Sequence, residues 1–258
     1  MASTQELVER QKAPLTTPSD IEAKYVKDLT GALNSLLADV FTFYDFDSAA
    51  ALREFELAHE APEDRIRRHG VWSGCVLNSC FEEYTRAVSD RLRNDPLNSS
   101  LYTARALGLY GHGDLVAAEQ DARKALELSG GSSYNAFLLV RILLARHALG
   151  EAQAVAIAET DSVYTRASRA LIVGATGDRV AARAALEELV KHDARGGAYQ
   201  IAEAYAANGE NEPAIGWLER AYRQHDAGLW TLAIDPLLAP LAKDARVAAI
   251  RKRMHSDD

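Results

Sequence analysis

Little in this chain offers reactive chemistry. Its 258 residues include only two cysteines, two methionines, three tryptophans and seven prolines. Cys75 and Cys80 stand five residues apart, which on a helix turns them about 140° from each other. They neither pair within a helix nor match the CxxC spacing of a zinc site, and are expected to be reduced structural thiols. No Walker loop, dinucleotide fingerprint, HExxH, GxSxG or EF-hand pattern occurs. The seven histidines are scattered; His112, His192 and His225 fall at expected helix ends, with no second ligand at i+3 or i+4. Glu82, Glu83, Glu187 and Glu188 read as solvated helix faces rather than a catalytic pair. No enzymatic activity, metal or other cofactor is expected.

A basic excess is also missing. With 37 acidic against 29 basic residues the formal charge is −8, so phosphate backbones repel the chain and no nucleic-acid partner is expected. The start, MASTQELVERQK, has no basic region leading into an apolar core. The most apolar later run, FLLVRILLARHAL, is interrupted by Arg141 and Arg146. A soluble cytoplasmic protein without a membrane partner is therefore expected.

What is present is helical periodicity. With 48% hydrophobic and 26% charged residues, the chain has material for a sizeable core. From Ser19 onward apolar residues recur at helical spacing between short Gly, Asn, Asp or Pro breaks, and no alternating run argues for a strand. The fold expected is all-α. Residues 1–18 lack periodicity and are expected to form a mobile arm. Ser19 and Glu22 make an S-x-x-E capping box, and Ile21, Tyr25, Leu29, Leu33, Leu36, Leu37, Val40 and Phe41 trace one face of the helix that follows. Trp72 and Trp217 stand at core spacing.

Internal repetition decides the class. GDLVAAEQDARKALELSG at 113 recurs in weaker form as GEAQAVAIAET at 150, GDRVAARAALEELV at 177 and GENEPAIGWLERAY at 209. The leading glycines are 37, 27 and 32 residues apart, scattered about the period of roughly 34 that marks a helix-turn-helix repeat. These residues resemble tetratricopeptide repeats (TPR), in which small residues at positions eight and twenty let paired helices approach. With the turn glycine as position 15, the third repeat supplies Ala106, Ala118, Ala122 and Ala125 at positions 8, 20, 24 and 27. The fifth supplies Ala170, Ala182, Leu186 and Leu189, and the sixth Ala202, Ala214, Leu218 and Ala221, with Tyr205 at position 11. Arg105 and Arg169 depart from the family's leucine at position seven, and the fourth repeat is out of register at Val155 and Glu159. FDSAAALREFELAHEAPED reads as the second helix of a first repeat, and residues 64–93 as a degenerate second. The C-terminal run resembles the end of repeat arrays in bacterial regulators, cyclases and kinases, through Asp235, Pro236, Leu238, Pro240, Leu241 and Asp244. The resemblance covers about residues 44–254. It implies a right-handed α-solenoid of TPR-like hairpins with a C-terminal capping helix, in a repeat domain of residues 19–254 followed by a tail, 255–258.

Residues 7–44 resemble something else, the N-terminal arm and first helix of the Dps family of ferritin-like proteins. That family continues into an N-F-H-W-H iron motif; here Tyr44 is followed by DFDSAAALREF, without a histidine before His59. Ferroxidase chemistry is not implied, because its ligands are missing. The Dps-like helix, 19–44, is expected to complete the first repeat by packing Leu33, Leu37, Val40 and Phe41 on residues 47–60.

The function this implies is a non-enzymatic protein-protein interaction scaffold. In tetratricopeptide arrays first-helix positions 2, 5, 9 and 12 line the concave face. The resemblance assigns this role to Thr103, Leu107 and Tyr110, to Tyr164, Ala167 and Leu171, and to Tyr199 and Glu203. The expected partner is a protein or peptide segment, with Tyr110, Tyr164 and Tyr199 forming a partly exposed strip. The family's Lys/Asn/Arg carboxylate clamp is absent. The alternatives are a Dps-related oligomer with DNA or iron function and the detached sensor domain of a bacterial regulator; a homo-oligomer is also compatible with the sequence.

Overall fold

Turn chemistry sets the boundaries of the helices. The computed structural model describes residues 81–155 and 161–254, and before them only helical positions at 29–31, 33–34, 36–37, 53–54 and 57. The helices are α1 (Phe81–Asn94), α2 (Ser99–His112), α3 (Leu115–Leu128), α4 (Ser133–Ala145), α5 (Leu149–Ala154), α6 (Val163–Ala175), α7 (Arg179–Asp193), α8 (Ala198–Ala207), α9 (Asn211–Arg223) and α10 (Ala245–Met254), with two 3₁₀ turns, Ala227–Thr231 and Ala239–Leu241, before the last. The described residues contain no strand. Asn98, Asp114, Ser162 and Asp178 each accept a backbone N–H of the following first turn, at the starts of α2, α3, α6 and α7. These side chains satisfy donors that the helix itself leaves open.

At the helix ends the chain reverses through a left-handed residue. Gly113, Gly177 and Gly209 have φ of +91°, +81° and +77°, a region that costs glycine nothing. The fourth turn differs from the sequence expectation. Gly150 lies inside α5, and the left-handed position is His147, at φ +60°. The N–H of Ala148 then bonds the Leu143 carbonyl, as Asp114 bonds Leu109 and Glu210 bonds Tyr205. Counting from His147 restores the register: the residue five places on is Ala152, fully buried like Ala118 and Ala214, with Ala182 nearly so. Glycine was misleading there because histidine also tolerates this conformation.

Packing runs in chain order. Each helix from α1 to α4 packs on the next, α4 on α6, α6 on α7 and α8, α8 on α9, and α9 on α10. Ala106, Ala118, Ala170, Ala202 and Ala214 are 0% exposed, so paired backbones approach where no large side chain intervenes. Arginine forks add polar ties. Arg105 grips Asp121 at 2.6 and 2.8 Å and reaches Ser89 at 3.0 Å, joining α1, α2 and α3; Arg166 grips Asp193 at 2.5 and 2.8 Å across α6 and α7. The core is handed on along the chain. Leu138, Leu139, Ile142 and Leu143 of α4 join the N-terminal cluster while Phe137 and Val140 join the next. Helix α8 divides likewise, Ile201 and Ala204 on one side, Tyr199 and Ala202 on the other. A helix buried on both sides has no polar face, which explains the run FLLV at 137–140.

One N-terminal expectation meets a different result, and others fall outside the described residues. Leu33 and Leu37, expected to be buried, are 64% and 42% exposed, and Leu29 and Leu36 are exposed beside them; the i, i+4, i+7, i+8 face meets solvent. The arm 1–18, the Ser19–Glu22 box, residues 38–52 including Val40 and Phe41, both cysteines, Trp72, Glu159 and the tail 255–258 lie outside the described residues. No helix among the described residues is long and apolar enough to cross a membrane.

Candidate functional site

After α9 the chain folds back across the faces of α2, α4 and α8. Ile234 sits so close to Gly111 of α2 that a Cβ there would stand 2.7 Å from the Ile234 Cβ. Leu237 packs with the middle cluster, and Trp230 and Ile234 with the N-terminal one. The strap 227–238 therefore covers part of the surface that the sequence left open.

Under the strap lies a buried polar cluster. Arg141 of α4, 3% exposed, places Nη2 2.8 Å from Glu203 Oε1 and 2.9 Å from Asp235 Oδ2. Its guanidinium carbon stands 5.0 Å from the Tyr110 ring centroid and 5.3 Å from that of Phe137, so aromatic faces take up part of its charge. Asp235 is well served: the Tyr199 hydroxyl donates to Oδ2 at 2.9 Å and the Leu237 N–H to Oδ1 at 3.0 Å, and the Thr231 hydroxyl backs Tyr199 at 2.8 Å. Glu203 is not. Its 2.8 Å approach to Arg141 is off-line, and neither carboxyl oxygen accepts a hydrogen bond. Burial pushes the Glu203 carboxyl well above the usual range; Arg141 opposes this and Asp235 adds to it. Burial alone disfavours the Arg141 charge, but Asp235 and Glu203 outweigh it and hold the guanidinium ionised. The Tyr110 and Tyr199 hydroxyls are raised, chiefly by burial. Asp226, raised by burial, accepts the N–H groups of Tyr199 at 3.0 Å and Gly228 at 2.9 Å.

Above the cluster opens a cavity of about 480 Å³, lined by Tyr134, Phe137, Tyr164, Arg141, Glu203 and Asp226 among others. Tyr164 meets Tyr134 edge-on at 5.0 Å and Phe137 at 5.7 Å, forming an aromatic wall. A second cavity, about 410 Å³, lies along α2 and α4. Tyr134 and Trp230 line both, so the two are adjoining parts of one groove. In the second, the Thr103 hydroxyl donates to Asn135 Oδ1 at 2.8 Å, and Asn135 Nδ2 bonds the Ala125 carbonyl and Ser129.

Of the residues assigned to the concave face, Thr103 and Leu107 line the second cavity, and Tyr164, Tyr199 and Glu203 the first. Tyr110, Ala167 and Leu171 line neither. The exposed tyrosine strip is corrected: Tyr110 is 0% and Tyr199 1% exposed, and only Tyr164 is half-buried. Leu107, Ala167, Leu171 and Glu203 are buried as well. For Tyr110, Leu107, Tyr199 and Glu203 the reason is the strap, whose Trp230, Ile234 and Asp235 occupy that face, and Ala167 and Leu171 are buried among Phe137, Val140, Leu186 and Ile201 of neighbouring helices. Arg141 and Asp235 were missed as site residues. The available signal was an arginine isolated in a run where every neighbour is apolar, since such a charge requires a buried partner. His192 reaches Glu188 at 2.8 Å, and no group of three possible metal ligands occurs among the described residues. No protein-family model matches the chain, and no curated protein matches it.

Proposed function

We propose that the chain is a right-handed α-solenoid of TPR-like hairpins, capped by α10, and that it serves as a non-enzymatic scaffold taking a partner segment in the groove along α2, α4, α6 and α8. The observation that carries this reading is the pair of adjoining cavities that share Tyr134 and Trp230. A row of aromatic and small polar groups suits an extended or helical segment, which gains from burying apolar side chains while its own polar groups find partners such as Asn135 and Gln200. Supporting the array are the left-handed turns at 113, 147, 177 and 209 and the buried small residues five places after each. A core passed from helix to helix is what repeat architectures require.

The test is selection of binding peptides from a displayed random library, followed by hydrogen exchange of the complex. Protection is expected on α2, α4, α6 and α8, and Ala104→Arg, which places a bulky side chain in the second cavity, is expected to weaken binding at least about tenfold. Protection confined to α3, α7 and α9, with Ala104→Arg without effect, would refute the groove as the binding face.

A further inference from the structure

We infer that the larger cavity takes a cationic side chain of the partner, lysine or arginine, with Glu203 as its counter-charge and Tyr134, Phe137 and Tyr164 as walls. This rests on the groove reading and adds the chemistry of the anchor.

The argument begins with the local charge. The buried cluster sets one cation, Arg141, against two carboxyl groups, Glu203 and Asp235, and Asp226 opens into the same cavity; in the free chain a proton on Glu203 makes up the difference, and a bound cation takes that proton's place. Arg195 also lines the cavity but is exposed to solvent, where water screens it. Arg141 is compensated by two carboxylates and two aromatic faces, and Asp235 by an ion pair, a hydroxyl and a backbone N–H. Asp226 holds two backbone N–H groups. On the acceptor side Glu203 is left short: it is 0% exposed, lines the cavity, and neither oxygen accepts a hydrogen bond; on the donor side Arg141 Nε and Nη2 lack in-line acceptors although both carboxyl groups lie against the guanidinium.

Hydrogen-bond demand points the same way. Gln224 Oε1, also on the cavity wall, is a buried acceptor without a donor. Its amide nitrogen is already committed to the Ala194 carbonyl at 3.1 Å, which fixes the orientation. A ligand that satisfies Glu203 and Gln224 must bring hydrogen-bond donors, and one that balances the charge must be positive. Ammonium and guanidinium groups do both. The walls suit the rest of such a side chain, since tyrosine and phenylalanine rings accept its aliphatic stem and attract its head through their faces. An anion would instead meet Glu203 and Asp226 in the same cavity as Arg141, with both Tyr110 and Phe137 already against the guanidinium.

The probes are n-butylammonium and n-butylguanidinium chloride, with 1-pentanol and sodium valerate as neutral and anionic counterparts. They are titrated into the full-length protein labelled with ¹⁵N. The two cations are expected to shift the Gln224 side-chain amide and the α8 amides, and the other two probes are not. Glu203→Gln keeps the shape but cannot ionise when the cation arrives, and should weaken cation binding at least about tenfold. Glu212→Gln, on the exposed start of α9, should change nothing. Gln224→Met, which leaves the ion cluster untouched, should weaken it about threefold and serves if Glu203→Gln fails to fold. Valerate binding as well as the cations, or cation binding unchanged by Glu203→Gln or by Gln224→Met, overturns the inference. The two readings separate with the selected peptides. Groove-binding peptides that lack lysine and arginine, and that butylguanidinium does not displace, refute the cation anchor alone; cation binding with no groove-binding peptide refutes the groove alone.

Discussion

Replacing Arg141 by methionine tests the cluster that holds the strap against α4. Arg141, Glu203 and Asp235 have side chains 4%, 0% and 0% exposed, with contacts of 2.8 and 2.9 Å. Removing one partner of a buried ion pair costs about 3–5 kcal/mol, because the other charge is left without compensation. The lower end applies here. Glu203 already favours its neutral form, so the variant strands mainly Asp235, which keeps the Tyr199 hydroxyl and the Leu237 N–H. The expected loss is about 3 kcal/mol. At a urea slope of about 2 kcal/mol per molar, the midpoint falls by about 1.5 M. The assay is urea unfolding followed by far-UV circular dichroism and by tryptophan fluorescence, since coincident transitions are the check on two-state behaviour. Arg246→Met, which removes the ion pairs with exposed Glu212 and half-buried Asp244, should move the midpoint far less. Converting Glu203 to methionine and Asp235 to asparagine on top of Arg141→Met removes the stranded charge and should recover most of the loss. A loss below about 0.5 kcal/mol in Arg141→Met would show that water reaches the cluster, and the account of a dry network would fail.

Three further perturbations follow from the same geometry. In Gly228→Ala the new Cβ would stand 2.6 Å from Tyr199 Cγ and Cδ1; Tyr199 is fully buried and tied to Asp235 and Thr231, so a loss of about 1–3 kcal/mol is expected in thermal melts, and unchanged melting would mean the strap is loosely seated. His147→Gly relieves a left-handed histidine at φ +60° and should stabilise by up to about 1 kcal/mol; a destabilised variant would argue that the imidazole makes a needed contact. The carboxyl of Glu203 is raised in the folded state, as is that of Asp226, so the folded chain holds protons that the unfolded chain releases. Their contribution is present below the ordinary carboxylate range and is lost as pH rises through the raised values, against Arg141, Asp235, Tyr110, Tyr134, Tyr164 and Tyr199 around Glu203. Urea midpoints should therefore fall as pH rises above the ordinary carboxylate range, and Glu203→Gln should flatten that slope; parallel slopes in the two proteins would rule Glu203 out as the source.

How far the sequence reached depended on which forces were local. Gly113, Gly177 and Gly209 were readable because a left-handed turn states its requirement in one residue, and the alanines five places on were readable because helix spacing fixes their side. His147 broke the first rule without breaking the second: Ala152 still marks the crossing although the glycine has moved into α5. The strap escaped for another reason. The family resemblance assigns Tyr110, Tyr199 and Glu203 to first-helix positions expected to face inward, and an inward face is open only if nothing else crosses it. What crosses it is 227–238, a segment whose own pattern speaks of capping the last helix and not of contacts with α2 and α4, far earlier in the chain. That long-range fact was encoded as two unexplained charges, Arg141 among apolar neighbours and Asp235 ahead of Pro236. Each is costly to bury alone and tolerable together. A lone ionisable residue in an otherwise apolar helix is thus a statement about a distant partner, and here matching it to the acidic residue of the C-terminal motif would have located both the strap and the floor of the groove.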